Sequence, residues 1–155
     1  MTRVIDGIEA LQAAVGEELG VSPWYTVDQA AIDRFAAATG DEYFIHVDPE
    51  RARREAGMES TIAHGLFTLS LGPMFSYSIW EVRGVGSALN YGYDKVRFTG
   101  PVPVDSKVRM RMELSTVEEI EQGVRVRCRQ TFELEGNEKP VCVADSVFFY
   151  FYERS

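Results

Sequence analysis

The chain of 155 residues has few of the side chains that bind metals or form disulfides. It contains two histidines and two cysteines, and Cys128 and Cys142 each lie in a strand-like segment. A domain of this size can form a core without disulfides, so both cysteines are expected to be buried, reduced thiols. No metal site is predicted.

Positive charge is also scarce, because 16 lysines and arginines stand against 24 acidic residues, for a net charge of −8. Nucleic acids and anionic membranes both require a basic face, so neither is expected as a partner. The longest apolar run, residues 65–80, is interrupted by serine and threonine, which argues against membrane insertion. Residues 1–20 are acidic and amphipathic, unlike a secretory leader. We therefore expect one cytoplasmic domain over residues 1–155, with no linker.

Apolar spacing predicts helices in the first half of the chain. An amphipathic helix is predicted over residues 7–19, with Val15 and Leu19 on its apolar side. A capping box that begins at Thr26 is expected to open a second helix, which ends at Gly40, and a short helix should follow Pro49. From residue 64 to residue 80 the pattern is apolar on nearly every side and predicts a buried helix. Three residues of this helix are expected in the core: Met74, Phe75 and Tyr77.

The second half is rich in β-forming residues, in runs near 84–98, 106–118, 123–134 and 139–153. In the third run Val124, Val126 and Cys128 alternate with arginines, so one face of the strand should be buried and the other solvated. No helical pattern interrupts these runs. The simplest arrangement is an α+β fold in which a long antiparallel sheet wraps around the buried helix.

The segment after Gly40 holds an acid and an imidazole, Asp41 and His46, in what is expected to be a loop. On a continuous helix, residues five apart point about 140° away from each other, so only a loop lets the two converge. Imidazole titrates near pH ~6.5, and a carboxylate beside it can orient it or exchange protons with it. The pair is therefore predicted to be a general acid/base device that acts on one water molecule.

Four segments together resemble the MaoC-like dehydratases, the (R)-specific enoyl-CoA hydratase group. In chain order the segments are residues 37–41, 45–48, 61–65 and 96–104, read as AATGD, IHVD, TIAHG and VRFTGPVPV. The similarity extends from about Trp24 to Tyr150. One departure is the pair Tyr43-Phe44, where the family often has Asn-Pro, and it predicts a different loop shape and acyl pocket.

The resemblance implies a hotdog fold and a homodimer, and exposed sheet edges also favour an assembly that covers them. It implies hydration of a trans-2-enoyl thioester to the (3R)-3-hydroxyacyl thioester, and the reverse reaction, with Asp41 and His46 as catalytic residues. His46 is assigned as the principal base toward water. Gly65 opens the apolar helix, where a backbone N–H can stabilise the enolate-like thioester oxygen. No cofactor is expected beyond coenzyme A or acyl carrier protein as part of the substrate.

Other polar residues have two readings each. His64 is either a second catalytic imidazole or a cap and packing residue at a helix start. Asn90 and Tyr91 are candidates to line the substrate pocket, or polar residues at a strand bend. Lys95 and Arg97 are candidates to bind the phosphates of coenzyme A, or solvated surface. The same two interpretations, phosphate binding or solvated surface, apply to three arginines of the helix after Pro49: Arg51, Arg53 and Arg54.

Two other functions fit the same fold. A hotdog thioesterase would bind the same ligand, but its carboxylate usually lies on the central helix, and here no Asp or Glu occurs between His64 and Trp80. A non-catalytic thioester-binding subunit would not need the pair Asp41 and His46. Both observations favour the hydratase. Acyl-chain length and the carrier are left open by the sequence.

Overall fold

The computed structural model describes residues 2–153, and an antiparallel sheet dominates this part of the chain. Its strands are β2 (Glu18–Val21), β3 (Tyr25–Val27), β5 (Ser87–Phe98), β6 (Ser106–Ile120), β7 (Gly123–Leu134) and β8 (Cys142–Phe151). They pair in the order β2-β6-β7-β8-β5, with β3 also on β6. A small parallel sheet joins β1 (Arg3–Asp6) to β4 (Trp80–Arg83). The four predicted β-rich runs are confirmed as β5 to β8.

Helices pack on one face of this sheet. They are α1 (Gly7–Ala13), α2 (Gln29–Thr39), α3 (Phe44–Val47), α4 (Pro49–Ala56), α5 (Gly65–Ser70) and α6 (Gly72–Ile79). Helix α5 lies against β8 and α6 lies against β6, and these two helices together form the helical layer. Phe67, Phe75 and Ile79 bury their side chains between this helical layer and the sheet. Within residues 2–153, none of these helices is long and apolar enough to cross a membrane.

The alternation in β7 is confirmed. Val124, Val126 and Cys128 have no exposed surface, while Arg127 on the other face pairs with Asp94 and Glu118. Both cysteines are buried and free, as predicted. Burial raises the pKa of the Cys142 thiol to about 11, and it raises the pKa of Cys128 further still. Neither thiol is a ready nucleophile at neutral pH.

The prediction of one amphipathic helix over residues 7–19 is wrong at its C-terminal end. Helix α1 ends at Ala13, and Gly16, with a φ of 87°, turns the chain into β2. Val15 is 42% exposed, and Leu19 is buried as a strand residue. The helical spacing of these two apolar residues is coincidental, because a glycine with positive φ lies between them.

The start of α2 also differs from the prediction. Thr26 lies in β3, and Asp28 is the N-cap, with a carboxylate oxygen that accepts a hydrogen bond from the Ala31 N–H at 2.7 Å. Both residue types are good caps, and pairing of β3 with β6 holds Thr26 in an extended conformation. The predicted end is confirmed, since Gly40 has the left-handed conformation (φ 76°) typical of this position.

The predicted single buried helix is two helices, α5 and α6, separated at Leu71. Pro73 has no N–H to donate, so the ladder of hydrogen bonds is interrupted here. Phe75 is buried as predicted, but the core positions predicted for Met74 and Tyr77 are wrong, because their side chains are 43% and 79% exposed. One face of the helical layer is therefore uncovered in a single chain.

Candidate functional site

His46 lies in α3, a single helical turn, and not in the irregular loop that the sequence predicted. Backbone contacts hold this turn in place. Ile62 donates its N–H to the Ile45 carbonyl at 3.0 Å, and the side-chain amide of Gln29 donates to the His46 carbonyl at 2.8 Å. The segment around Ile62 is itself fixed, because Ala63 donates its N–H to the Val102 carbonyl at 2.8 Å. The imidazole therefore projects from a turn that is tied on both sides.

The hydrogen bond of the His46 ring determines which nitrogen can act as a base. Nδ1 lies 2.7 Å from the Ile62 carbonyl oxygen. A carbonyl can only accept, so Nδ1 carries the proton and Nε2 keeps a free lone pair. Burial lowers the pKa of His46 below its ordinary value, and the neighbouring His64 lowers it further, against the opposing effects of the Ile62 bond and of Asp41. His46 is thus neutral at pH 7.

Asp41 follows Gly40 directly, so the left-handed end of α2 sets the direction of its side chain. Asp41 is exposed, whereas His46 and His64 are buried. The carboxylate and one ring nitrogen of each histidine lie within 4.8 Å of one another. The structure therefore brings Asp41 and His46 together and adds His64 to them. These are also ligand types of zinc, although one nitrogen of each histidine is already bonded to a carbonyl.

His64 is in contact with both predicted catalytic residues. Its ring stacks on that of His46 with centroids 3.8 Å apart and planes at 28°, and Phe35 packs on it at 5.0 Å. Its Nε2–H donates to the backbone carbonyl of Asp41 at 2.9 Å. The His64 side chain makes no cap hydrogen bond to α5, so the prediction that it caps this helix is wrong. It connects the Asp41 backbone to the His46 ring.

Gly65 and His46 line the same cavity, which has a volume of about 390 Å³. The Phe98 ring forms one wall so close to Gly65 that a Cβ added there would lie 2.8 Å from it. Any side chain at this position would have to displace the Phe98 ring. As the first residue of α5, Gly65 belongs to the turn whose N–H groups have no acceptor within the helix. The cavity thus combines a base with backbone donors.

The predicted substrate-binding residues lie along the edge strand β5 and not at the cluster. Lys95 and Arg97 are exposed near the end of β5 that reaches the cavity through Phe98. Asn90 lines a different depression, and Tyr91 is 63% exposed and stacks on the outward ring of Phe149 at 4.3 Å. At about 3.3 Å per strand residue, Tyr91 is roughly 20 Å along the strand from Phe98. Within one chain, therefore, Asn90 and Tyr91 do not reach the cluster.

The arginines of α4 are exposed and paired with local groups. Arg51 bonds to Glu55 at 2.9 Å and lies over the Phe44 ring at 4.3 Å, and Arg54 bonds to Glu55 at 3.0 Å. Arg53 donates to the Glu59 carbonyl at 2.7 Å. The solvated reading of this face agrees with these contacts. Arg51 thus covers the aromatic ring of Phe44.

Gln29 and Ile62 are functional positions that sequence reasoning missed. Gln29 supports the turn that carries His46, and its side chain also accepts a hydrogen bond from Thr61. Ile62 acts through its backbone carbonyl, for which no side-chain pattern exists. The sequence did contain a signal for Gln29. It is a polar residue that faces the core at the first position of α2, and such a side chain needs a hydrogen-bond partner.

Comparisons with known proteins identify the family of the chain. The family described as "MaoC like domain" matches residues 10–134. The 3-hydroxyacyl-thioester dehydratase Z of Mycobacterium tuberculosis is 47% identical over 150 residues, which cover 96% of this chain and 98% of that relative. A solved structure titled monoamine oxidase regulatory protein, from Archaeoglobus fulgius, matches with a TM-score of 0.77 at 25% identity, over 100% of this chain and 99% of that one. The R-hydratase of Pseudomonas aeruginosa shares the fold, with a TM-score of 0.72 at 22% identity over 90% of this chain and 83% of that one.

Proposed function

The chain belongs to the MaoC-like domain family, with its hotdog fold, and from that premise we propose that it is a 3-hydroxyacyl-thioester dehydratase. This hydro-lyase adds water to a trans-2-enoyl thioester to give the (3R)-3-hydroxyacyl thioester, and it catalyses the reverse reaction. The observation that carries the proposal is the hydrogen bond from His46 Nδ1 to the Ile62 carbonyl, which leaves Nε2 free as a base beside Asp41.

In the hydration direction, His46 Nε2 takes a proton from water as the oxygen attacks C3. The burial that lowers the pKa of His46 keeps this nitrogen unprotonated at neutral pH, as a base requires. Asp41 holds the same water and is the partner of His46 in passing the proton that His46 takes up on to C2. The hydrogen and the hydroxyl that are added therefore both come from one water molecule.

The thioester oxygen gains negative charge when C3 is attacked, and the start of α5 supplies donors for it. Backbone N–H groups there, Gly65 first among them, point away from the helix toward the cavity side of the turn. Removal of one such donor in other enzymes costs about 2.7–4 kcal/mol. The absent side chain of Gly65 leaves room for the Phe98 ring on one side and for close approach of the thioester to the backbone.

The helical layer argues against thioester hydrolysis. Residues 65–79, which form α5 and α6 with Leu71 between them, contain no Asp or Glu. The acid and base near the cavity are Asp41 and His46, both outside this layer. When Gly65 binds the carbonyl oxygen of the thioester, the water held by Asp41 and His46 attacks C3 and not the carbonyl carbon.

Assay of trans-2-enoyl-CoA esters tests this function directly. Loss of the conjugated double bond without release of free thiol is the expected result, with the (3R) isomer as product, at a rate that does not change when EDTA is added. The matched variant Asp41→Asn should keep the fold and lose most of the activity. Stoichiometric thiol release would instead identify a thioesterase. An enzyme that leaves every enoyl ester unchanged would favour the non-catalytic binding subunit.

We further propose a homodimer in which two β5 strands pair in antiparallel fashion. Strand β5 is the free edge of the large sheet, and an exposed edge of twelve residues offers its backbone groups to another strand. Antiparallel pairing places the start of one strand beside the end of its partner. Asn90 and Tyr91 of one subunit would then approach the end of the partner strand that carries Lys95 and Arg97, where the phosphates of coenzyme A are proposed to bind.

Light scattering between low and high micromolar concentration should give twice the mass of one chain. A monomer over this whole range would remove both the dimer and the shared binding site. The cytoplasmic location expected from the sequence stays a prediction, which fractionation of the source cells tests.

A further inference from the structure

Gln130 is the most unusual polar residue of the core. It lies in the middle of β7, it has no exposed surface, and neither its amide nitrogen nor its amide oxygen has a hydrogen-bond partner within residues 2–153. The hydroxyl of Thr68 is buried without a partner in the same way. Buried polar groups in folded proteins are nearly always paired with protein, water or ligand. These unpaired groups therefore indicate an occupant of the core.

The surroundings of Gly72 show where this occupant lies. A Cβ built on Gly72 would be 3.4 Å from the Gln130 Oε1 atom and 3.6 Å from the Tyr93 hydroxyl. These are ordinary contact distances, so the backbone leaves space for a methyl-sized group between the helix and the two polar side chains. Tyr93 projects from β5, and burial raises the pKa of its phenol against the opposing effect of a hydrogen bond with Asn90, so the phenol stays protonated at neutral pH.

Thr68 relates this polar space to the cavity that holds His46, because its buried side chain, unpaired among the described residues, lines that cavity. Gly72 follows Thr68 by four residues, across the junction of α5 and α6 at Leu71. The order from the reacting end inward is therefore Gly65, Thr68, Gly72 and then Gln130. An acyl chain whose thioester lies at Gly65 would have to follow this order of residues to reach Gln130.

We propose that Gln130, together with Thr68 and Tyr93, forms a polar end of the acyl pocket that recognises an oxygen on the acyl chain beyond C3. This inference rests on the proposed function and specifies its substrate class as thioesters of oxygenated acyl chains. A primary amide offers both a donor and an acceptor, so it can pair with a hydroxyl or a carbonyl oxygen. A plain alkyl chain at this position leaves the amide of Gln130 without a hydrogen bond, and the kcat/KM of such a substrate should therefore be lower.

Matched pairs of substrates test the inference. Each pair consists of a plain trans-2-enoyl-CoA and its ω-hydroxy analogue, for chains of four to eight carbons. For at least one chain length, the wild-type enzyme is expected to favour the hydroxylated member by roughly 10-fold or more in kcat/KM. Equal rates for both members of every pair, or a preference for the plain chain, would overturn the inference while leaving the proposed function intact. Failure to hydrate any ester would overturn both.

Two variants place the preference on Gln130. Gln130→Met keeps the length of the side chain and removes its polar atoms, so the preference should disappear mainly through slower turnover of the hydroxylated chain. Gly72→Ala fills the space and keeps the amide, and it should lower the preference too. The control Met110→Leu changes a fully buried residue of β6 without altering polar atoms, and it should retain the wild-type ratio.

These variants also give a readout that does not depend on folding of any single mutant. Gly72→Ala replaces glycine within a helix, a change that favours the helical conformation, so it should fold even if Gln130→Met does not. A wild-type ratio in folded Gly72→Ala or Gln130→Met enzyme would mean that the amide contacts only water, and it would refute the inference.

Discussion

The contact between His64 and the pair Asp41 and His46 makes one set of variants especially informative. His64 donates one hydrogen bond to the Asp41 carbonyl and stacks its ring between His46 and Phe35. The two effects can be separated by substitution. His64→Gln places an N–H near the former Nε2 and loses the stack, whereas His64→Phe keeps a ring and loses the donor. His64→Ala removes both.

The structure sets the size of the effect on stability. A neutral hydrogen bond contributes about 0.5–1.5 kcal/mol, and an aromatic pair contributes about 0.5–1.5 kcal/mol beyond its buried area. One bond and two ring contacts therefore give roughly 2–4 kcal/mol for His64→Ala, before any cost of the cavity that it leaves. For a domain of 155 residues, each kcal/mol shifts Tm by about 2–4 °C, so the expected loss is about 4–16 °C. His64→Gln and His64→Phe should each lose part of this.

The expected effect of His64 variants on activity arises because His64 positions Asp41 and His46, and not because His64 transfers a proton. We expect His64→Ala to lower kcat by about 100-fold, the cost of roughly 1 Å of misplacement of the catalytic groups. The acid limb of the pH profile should also move toward higher pH, because the second imidazole contributes to the lowered pKa of His46. Thermal unfolding, kcat and the pH profile are measured on the same preparations.

Two results would refute a positioning role for His64. If His64→Gln and His64→Phe both lose more than about 1,000-fold in kcat with unchanged Tm, His64 transfers a proton itself. If His64→Ala unfolds about 10 °C lower but keeps wild-type kcat and the same acid limb, His64 contributes only to packing. A partial and different loss in the Gln and Phe variants, with the shifted limb in His64→Ala, is the result that positioning predicts.

Three further predictions concern the rest of the site. His46→Gln and Asp41→Asn should each lower kcat by about 10²–10⁴-fold. Because the two residues act on one water, the kcat of the double variant should be little lower than that of the worse single variant. Additive losses in steady-state assays would contradict this. The wild-type protein should lose stability as the pH falls below about 6.5, because the unfolded His46 binds a proton more readily than the folded one, and denaturant titrations of His46→Gln should show a smaller loss. Gly65→Ala should lower kcat while it changes Tm only slightly, because its methyl group displaces the Phe98 ring in the cavity. An unchanged kcat would show that the thioester does not bind there.

The sequence predicted the elements whose pattern is local. Strands β5 to β8 were predicted because each run is long and rich in β-forming residues, and the alternation of buried and solvated side chains in β7 supported the prediction. The pair Asp41 and His46 was predicted because an acid and one of two histidines lie five residues apart after a helix-ending glycine. In both cases the information lies within a single segment, so no tertiary contact is needed to read it.

The parts that were missed depend on contacts between distant segments. His64 lies 23 residues from Asp41, and its hydrogen bond there has no trace in the local sequence. The base nitrogen of His46 is selected by the backbone carbonyl of Ile62, which any residue could supply. Gln130 continues the buried alternation of Val124, Val126 and Cys128, so the local pattern places it inward, but only the packed structure shows that its amide has no hydrogen-bond partner among the described residues.

The wrong core positions of Met74 and Tyr77 have a physical reason in the proposed assembly. Tyr77 on α6 and Leu89 on β5 line one surface depression of about 490 Å³, so the uncovered helical face is continuous with the free sheet edge. A two-fold axis that pairs β5 strands brings this apolar surface of both subunits toward the same interface. An apolar pattern on all sides of a helix reports burial in the assembly, whereas a single chain covers one side only. Tyr77→Arg should therefore convert the dimer to monomer in light scattering with the monomer still folded by circular dichroism, and an unchanged mass would place the interface elsewhere.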